Sequence, residues 1–170
     1  MKLTLYMAIS IDGFIARDDD STPWSETEWT AYAEFVKSKG NLIVGRRTYE
    51  MMKAAGEFER ISRPFTVVLS ESRSGSPDGK TMFAKTPDEA MAVLKGQGFT
   101  AAVLGGGTAA NTVFLQAGLI DEIILDVEAV FFGSGKRLFD VAVPMPKLRL
   151  IENKTLGETV ARIHYRVTGA

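Results

Sequence analysis

From Lys2 to Ser10 the apolar residues Leu3, Leu5, Met7 and Ile9 alternate with Thr4, Tyr6, Ala8 and Ser10, a period of two that predicts a strand. Shorter apolar runs at Asn41 to Val44, Phe65 to Leu69, Thr81 to Ala84, Thr100 to Leu104 and Glu122 to Val127 read as further strands. Helix signals fill the gaps between them. Ser25 to Lys39 starts on Ser25 ahead of Glu26 and Glu28 and stops at Gly40, and Thr86-Pro87-Asp88-Glu89 opens a helix that stops at Gly96. Alternation of strand and helix predicts an α/β fold, a mostly parallel central sheet with helices on both faces. Leu148 to Lys154 and Thr159 to Val167 alternate around a Leu156-Gly157 turn and predict a C-terminal antiparallel hairpin. Arg73 to Lys80 and Phe132 to Pro146 are rich in Gly, Ser and Pro and read as loops, too short to divide the chain. Residues 1–170 are therefore expected to form one domain.

Composition narrows the chemistry. A formal charge of -1 argues against a nucleic-acid or membrane surface. The absence of cysteine removes disulfides, zinc-thiolate sites and thiol nucleophiles, and the single histidine, His164, removes paired-histidine metal sites, so no metal is expected. No apolar stretch approaches the roughly 18 residues of a membrane span, and the alternating N-terminus is unlike a signal peptide. A cytoplasmic location is expected.

Two glycine turns carry the strongest chemical signal. Gly45-Arg46-Arg47-Thr48-Tyr49 and Gly105-Gly106-Gly107-Thr108-Ala109 each follow a strand and lead into a helix, where bare backbone N–H groups at the positive end of the helix dipole receive anions. Arg46 and Arg47 are electrostatically misplaced in a helix's first turn unless an anion joins them. The second turn with Ala110 also matches G-x-G-x-x-A, and Asp126 lies about 20 residues on, as in a dinucleotide fingerprint. That fingerprint normally opens its fold, whereas here only about 60 residues remain; a connection that needs glycine only for tight strand-helix packing is the alternative reading.

The order of these motifs resembles the dihydrofolate reductase superfold. More closely it resembles the reductase family that includes the C-terminal domain of the riboflavin-biosynthesis deaminase-reductase. The resemblance rests on Met7 to Ala16, Gly45 to Glu50, Thr66 to Ser70, Leu104 to Thr108, and Ala117-Gly118-Leu119-Ile120-Asp121-Glu122 continuing to Gly133-Ser134-Gly135-Lys136-Arg137-Leu138-Phe139. It implies a three-layer dihydrofolate reductase-like fold, a homodimer, and NADPH as cofactor. Ala8 and Ile15 match positions that hold the nicotinamide carboxamide. Gly45 and Thr48 match the pyrophosphate and ribose contacts, and Arg46 with Ser70 those at the 2′-phosphate, beside Arg47. Gly105, Gly106, Gly107, Thr108 and Ala109 match the second phosphate turn. Glu71 departs from the pattern, since an acid there repels a 2′-phosphate unless it points away or pairs with Arg47. Leu104 stands where many of the riboflavin reductases carry Glu.

The same resemblance implies reduction of a small pyrimidine- or pterin-like molecule, with the riboflavin-pathway reduction of a phosphoribosylamino-uracil foremost and dihydrofolate reduction second. A nucleotide-binding module without turnover is the reading from another class. Glu28 is the nearest counterpart of the folate enzymes' catalytic acid, although on an amphipathic helix it also reads as a solvent-facing carboxylate. Asp12 matches a catalytic-site acid near the substrate ribose, or forms an ordinary turn. Gly135, Lys136 and Arg137 belong to a loop that offers a backbone nest for a substrate phosphate. Trp24, with Trp29, Tyr32 and Phe35, reads either as a wall for a flat heterocycle or as core packing. Asp18-Asp19-Asp20 reads as a solvated acidic turn, and His164 as an outward residue without chemistry.

Overall fold

The computed structural model describes residues 1–140 and 144–169. In chain order the elements are β1 (Lys2–Ser10), β2 (Phe14–Ala16), α1 (Glu26–Lys39), β3 (Asn41–Gly45), α2 (Arg46–Ala54), α3 (Glu57–Arg60), β4 (Phe65–Leu69) and β5 (Thr81–Ala84). There follow α4 (Pro87–Gly96), β6 (Ala101–Leu104), α5 (Thr108–Gln116), β7 (Glu122–Glu128), β8 (Lys136–Arg137), β9 (Lys147–Leu156) and β10 (Val160–Gly169). Eight strands form one sheet in the order β5-β4-β3-β6-β1-β7-β10-β9. All neighbours from β5 to β7 are parallel, and β10 runs antiparallel to both β7 and β9.

The helix boundaries follow from their caps. The Ser25 side chain accepts from the Glu28 amide, and α1 stops where Gly40 turns left-handed at φ 69°, after Lys37 and Lys39 in its last turn. Thr86 caps α4 in the same way, with Pro87 at its first position. Three elements were not legible in the sequence. The two-residue β8 lies within the loop expected at 132–146 and pairs antiparallel with the three-residue β2, while α3 is a single turn. Residues 141–143 of that loop, and Ala170 of the expected domain, lie outside the described residues.

Two apolar layers sandwich the sheet. On one face Leu3, Leu5, Ile43 and Leu104 meet Ala90, Met91 and Leu94 of α4 and Phe114 and Leu115 of α5. On the other, Tyr6, Leu42, Val44 and Val103 meet Val36 of α1 and Tyr49 and Met52 of α2. The neighbours β3 and β6 therefore send their chains onto opposite faces, β3 through α2 toward β4 and β6 through α5 toward β7. Such a reversal of strand order opens a crevice at the carboxyl ends of the two strands, and the two glycine turns stand there.

Candidate functional site

A cleft of about 510 Å³ runs along this crevice. One part of it is formed by Gly45, Arg46, Arg47 and Thr48 from the first turn and by Gly105, Gly107, Thr108 and Ala109 from the second, with Ser70, Glu71 and Lys85 beyond. The turns touch: the Gly45 amide donates to the Gly106 carbonyl at 2.8 Å, and the Gly106–Gly107 peptide is cis. Gly45 and Gly107 cap α2 and α5 without any side-chain hydrogen bond, and neither helix has an acid in its first turn. The exposed N–H donors and the adjacent arginines suit a phosphate-bearing dinucleotide.

Not every glycine serves a ligand. A Cβ at Gly105 would lie 2.6 Å from the Tyr32 hydroxyl and 2.8 Å from Leu42 Cδ1, so packing alone requires glycine there. At Gly45 the nearest atom would be Ala110 Cβ, 3.6 Å away. Gly106 supports the turn from beneath, outside the cleft lining, at φ 93° against Met7.

The rest of the cleft is lined by Tyr6, Ala8, Ile15, Trp24, Glu28, Trp29 and Tyr32, and Lys136 also lines it. Glu28 corrects the solvent-facing alternative: it is only 3% exposed, because positions 28, 32 and 36 share one side of α1 and that side faces the sheet. No described residue donates a hydrogen bond to its carboxyl oxygens. Burial, reinforced by the negative charges of Asp126 and Glu128, pushes its carboxyl up to about 8. Glu28 therefore keeps its proton at neutral pH. The Glu28 to Val36 spacing on the apolar stripe was the sequence signal for this burial.

Behind Glu28 lies a charged network that sequence reasoning missed. Asp126, the acid of the apparent fingerprint, is fully buried on β7; its carboxylate accepts from the Tyr6 hydroxyl at 2.7 Å and from Arg162 Nε and Nη2, each at 2.7 Å. Arg162 Nη2 also bonds the Tyr6 oxygen. Burial and then Asp126 drive the Tyr6 phenol above its ordinary range. One step further along β7, Glu128 Oε1 accepts from both the amide and the hydroxyl of Ser25, which fixes the start of α1 and with it Glu28. The alternation of Glu122, Asp126 and Glu128 on β7 against Arg162, His164 and Arg166 on β10 was the available clue. His164 accordingly meets Glu122 at 3.1 Å rather than facing outward.

Several expected site residues stand elsewhere. Asp12 does not line the cleft; its carboxylate accepts from the amides of Phe132 and Gly133, the latter at 2.7 Å. A hydrogen bond from Ser10, with these amides, holds it below the usual carboxylate range. Because Asp12 already occupies those N–H groups, they do not form a free phosphate nest. Of Gly135, Lys136 and Arg137, only Lys136 lines the cleft, while the Arg137 carbonyl accepts from Thr108 Oγ1. The acidic triplet is engaged: Asp18 with Ser134, Asp19 with the Ser21 amide, and Asp20 with Arg47. Arg47 thus pairs with Asp20 and not with Glu71. Arg46 meets Glu50 at 3.3 Å. No group of His, Cys, Asp and Glu among the described residues is arranged to hold a metal ion.

The family described as the RibD C-terminal domain matches residues 1–161. The chain is 32% identical to the uncharacterized protein YwjB of Bacillus subtilis, covering 96% of this chain and 97% of that protein. A putative riboflavin biosynthesis protein from Shewanella sp. PV-4 superposes with a TM-score of 0.80 at 22% identity, covering 99% of both chains. The diaminohydroxyphosphoribosylaminopyrimidine deaminase/5-amino-6-(5-phosphoribosylamino)uracil reductase of Thermotoga maritima gives a TM-score of 0.73 at 16% identity, over 98% of this chain and 56% of that one. These structural likenesses speak to the fold, a reductase-like one.

Proposed function

The chain belongs to the RibD C-terminal domain family, and we propose that it is an NADPH-dependent reductase whose hydride acceptor is a C=N or C=O bond of a pyrimidine- or pterin-like molecule. The observation that carries this reading is Glu28. A carboxyl that burial pushes up to about 8, with no hydrogen-bond donor among the described residues, lines the same cleft as the two bare-amide turns. NADPH, when bound, supplies the hydride. Gly45, Thr48, Gly107, Thr108 and Ala109 would hold its pyrophosphate and riboses, Arg46, Arg47 and Ser70 its 2′-phosphate, and Ala8 with Ile15 the carboxamide. Glu28 then donates its proton to the nitrogen or oxygen of the bond being reduced. Trp24 and Trp29 flank the heterocycle and exclude water.

Reduction of a phosphoribosylamino-uracil is favoured by family membership and by Lys136, a cation that lines the cleft. Dihydrofolate reduction is favoured by the buried acid on α1. A cytoplasmic homodimer completes the proposal: β9 is an edge strand, and its Leu148, Leu150 and Ile151 are exposed at 46%, 50% and 42%.

Titration of the purified protein with NADPH, followed by cofactor fluorescence, tests the first half. Loss of NADPH absorbance with each of the two substrates tests the second. The expected result is saturable NADPH binding and turnover with one substrate, at a rate that falls above pH about 8 as Glu28 ionises. Failure to bind NADPH refutes the reading, and binding without oxidation by either substrate removes both named reactions.

A further inference from the structure

We propose that Asp12 is a positioning residue: through the backbone of Phe132 it sets the Trp24 wall of the cleft, and it does not itself meet the substrate. The chain of contacts is short. The Asp12 carboxylate accepts from the Phe132 amide at 3.2 Å and from the Gly133 amide at 2.7 Å. The Phe132 ring stacks on Trp24, with centroids 5.5 Å apart and planes 23° apart, and Arg17 covers Phe132 with its guanidinium carbon 5.2 Å from the ring centroid. Trp24 lines the cleft, whereas Asp12 and Phe132 do not.

Three features make this a device for holding position. The segment after β7 is pinned to β2 and the turn that follows it, since Asp18 bonds Ser134 and Phe14 and Ala16 pair with Arg137 and Lys136. A carboxylate that takes two successive amides fixes the direction of the Cα–Cβ bond between them and so where the Phe132 ring can lie, and its contacts with Trp24 and Arg17 set the ring plane. Trp24 immediately precedes the Ser25 cap of α1 and stands four residues before Glu28, so the wall and the acid are carried by one segment. Asp12 therefore acts on substrate recognition from outside the cleft, and on Lys136 of the same loop through its hold on Gly133.

The inference rests on the proposed reductase only where it concerns the substrate, so one arm of the test needs no substrate. In a Trp29→Phe background Trp24 is the sole tryptophan. Asp12→Asn and Phe132→Leu, each added to that background, are expected to shift Trp24 emission to longer wavelength and to raise its quenching by acrylamide. NADPH titration and far-ultraviolet circular dichroism should remain unchanged, which separates this outcome from unfolding. Unchanged Trp24 emission and quenching in both variants overturns the proposal, whatever the protein reduces. The second arm uses the otherwise native enzyme and whichever substrate it turns over. Each variant is expected to raise KM about two- to tenfold, as loss of one aromatic pair allows, with kcat and its pH profile preserved. The double variant should be no worse than the more severe single one. A collapse of kcat or a displaced pH profile in Asp12→Asn, with Phe132→Leu silent, would place Asp12 on the substrate and refute the positioning role.

Discussion

Glu28→Gln should trade activity for stability, and it should do so only above acid pH. In the unfolded chain the Glu28 carboxyl ionises near 4.5; in the fold its value is about 8. Between those values the unfolded state releases a proton that the native state retains, so folding stability is lost as pH rises from 4.5 to about 8 and then levels off. A displacement of that size corresponds to about 5 kcal/mol in the limit. Glu28 lines a cleft rather than a sealed core, so the observable effect is reduced to about 2–3 kcal/mol at pH 8. Gln keeps the shape and the neutral charge at every pH. The variant should therefore be about 2–3 kcal/mol more stable than the native protein at pH 8 and nearly equal to it at pH 4.5, with hydride transfer abolished or greatly slowed. Urea unfolding of both proteins at pH 4.5, 6 and 8 measures the difference directly. A stability gain that is the same at all three pH values, or largest at pH 4.5, would refute the claim that Glu28 is held protonated.

Arg162→Leu leaves the fully buried Asp126 carboxylate without its cation and should cost about 3–5 kcal/mol in chemical denaturation, whereas replacing both partners by apolar residues should cost much less. Gly105→Ala drives a methyl into Tyr32 and Leu42 and should destabilise the fold by about 1–3 kcal/mol. Gly45→Ala meets no such obstacle; its stability should change by no more than about 1 kcal/mol while NADPH binding weakens, as calorimetric titration will show. Arg46→Ala should raise the Kd for NADPH about tenfold and leave that for NADH nearly unchanged, since it removes one charge-assisted contact to the 2′-phosphate.

Much of the fold was legible because its determinants are local. The period-two run of β1, the Ser25 and Thr86 caps, the Gly40 stop and the glycines after β3 and β6 each depend on a few neighbouring residues, and the structure places the elements there to within a residue or two. The short elements β2, β8 and α3 escaped because two to four residues cannot display a period; β2 and β8 are held by pairing with each other, and α3 by Phe58 against Tyr49. The candidate site divides in the same way. The amino-acid order by itself determined that two bare-amide turns stand at helix starts with arginines beside them. Only the tertiary structure decided that they adjoin one crevice, because β6 inserts between β3 and β1. It also decided the charge state of Glu28, which depends on the side of α1 that meets the sheet and on Asp126 and Glu128, about a hundred residues away in the chain. Likewise Asp12 sits in a turn that local sequence predicts, yet its partners Phe132 and Gly133 come from the far end of the chain. Burial and electrostatics are properties of what is brought together, and for this protein they separate the acid that faces the cleft from the acid that braces its wall.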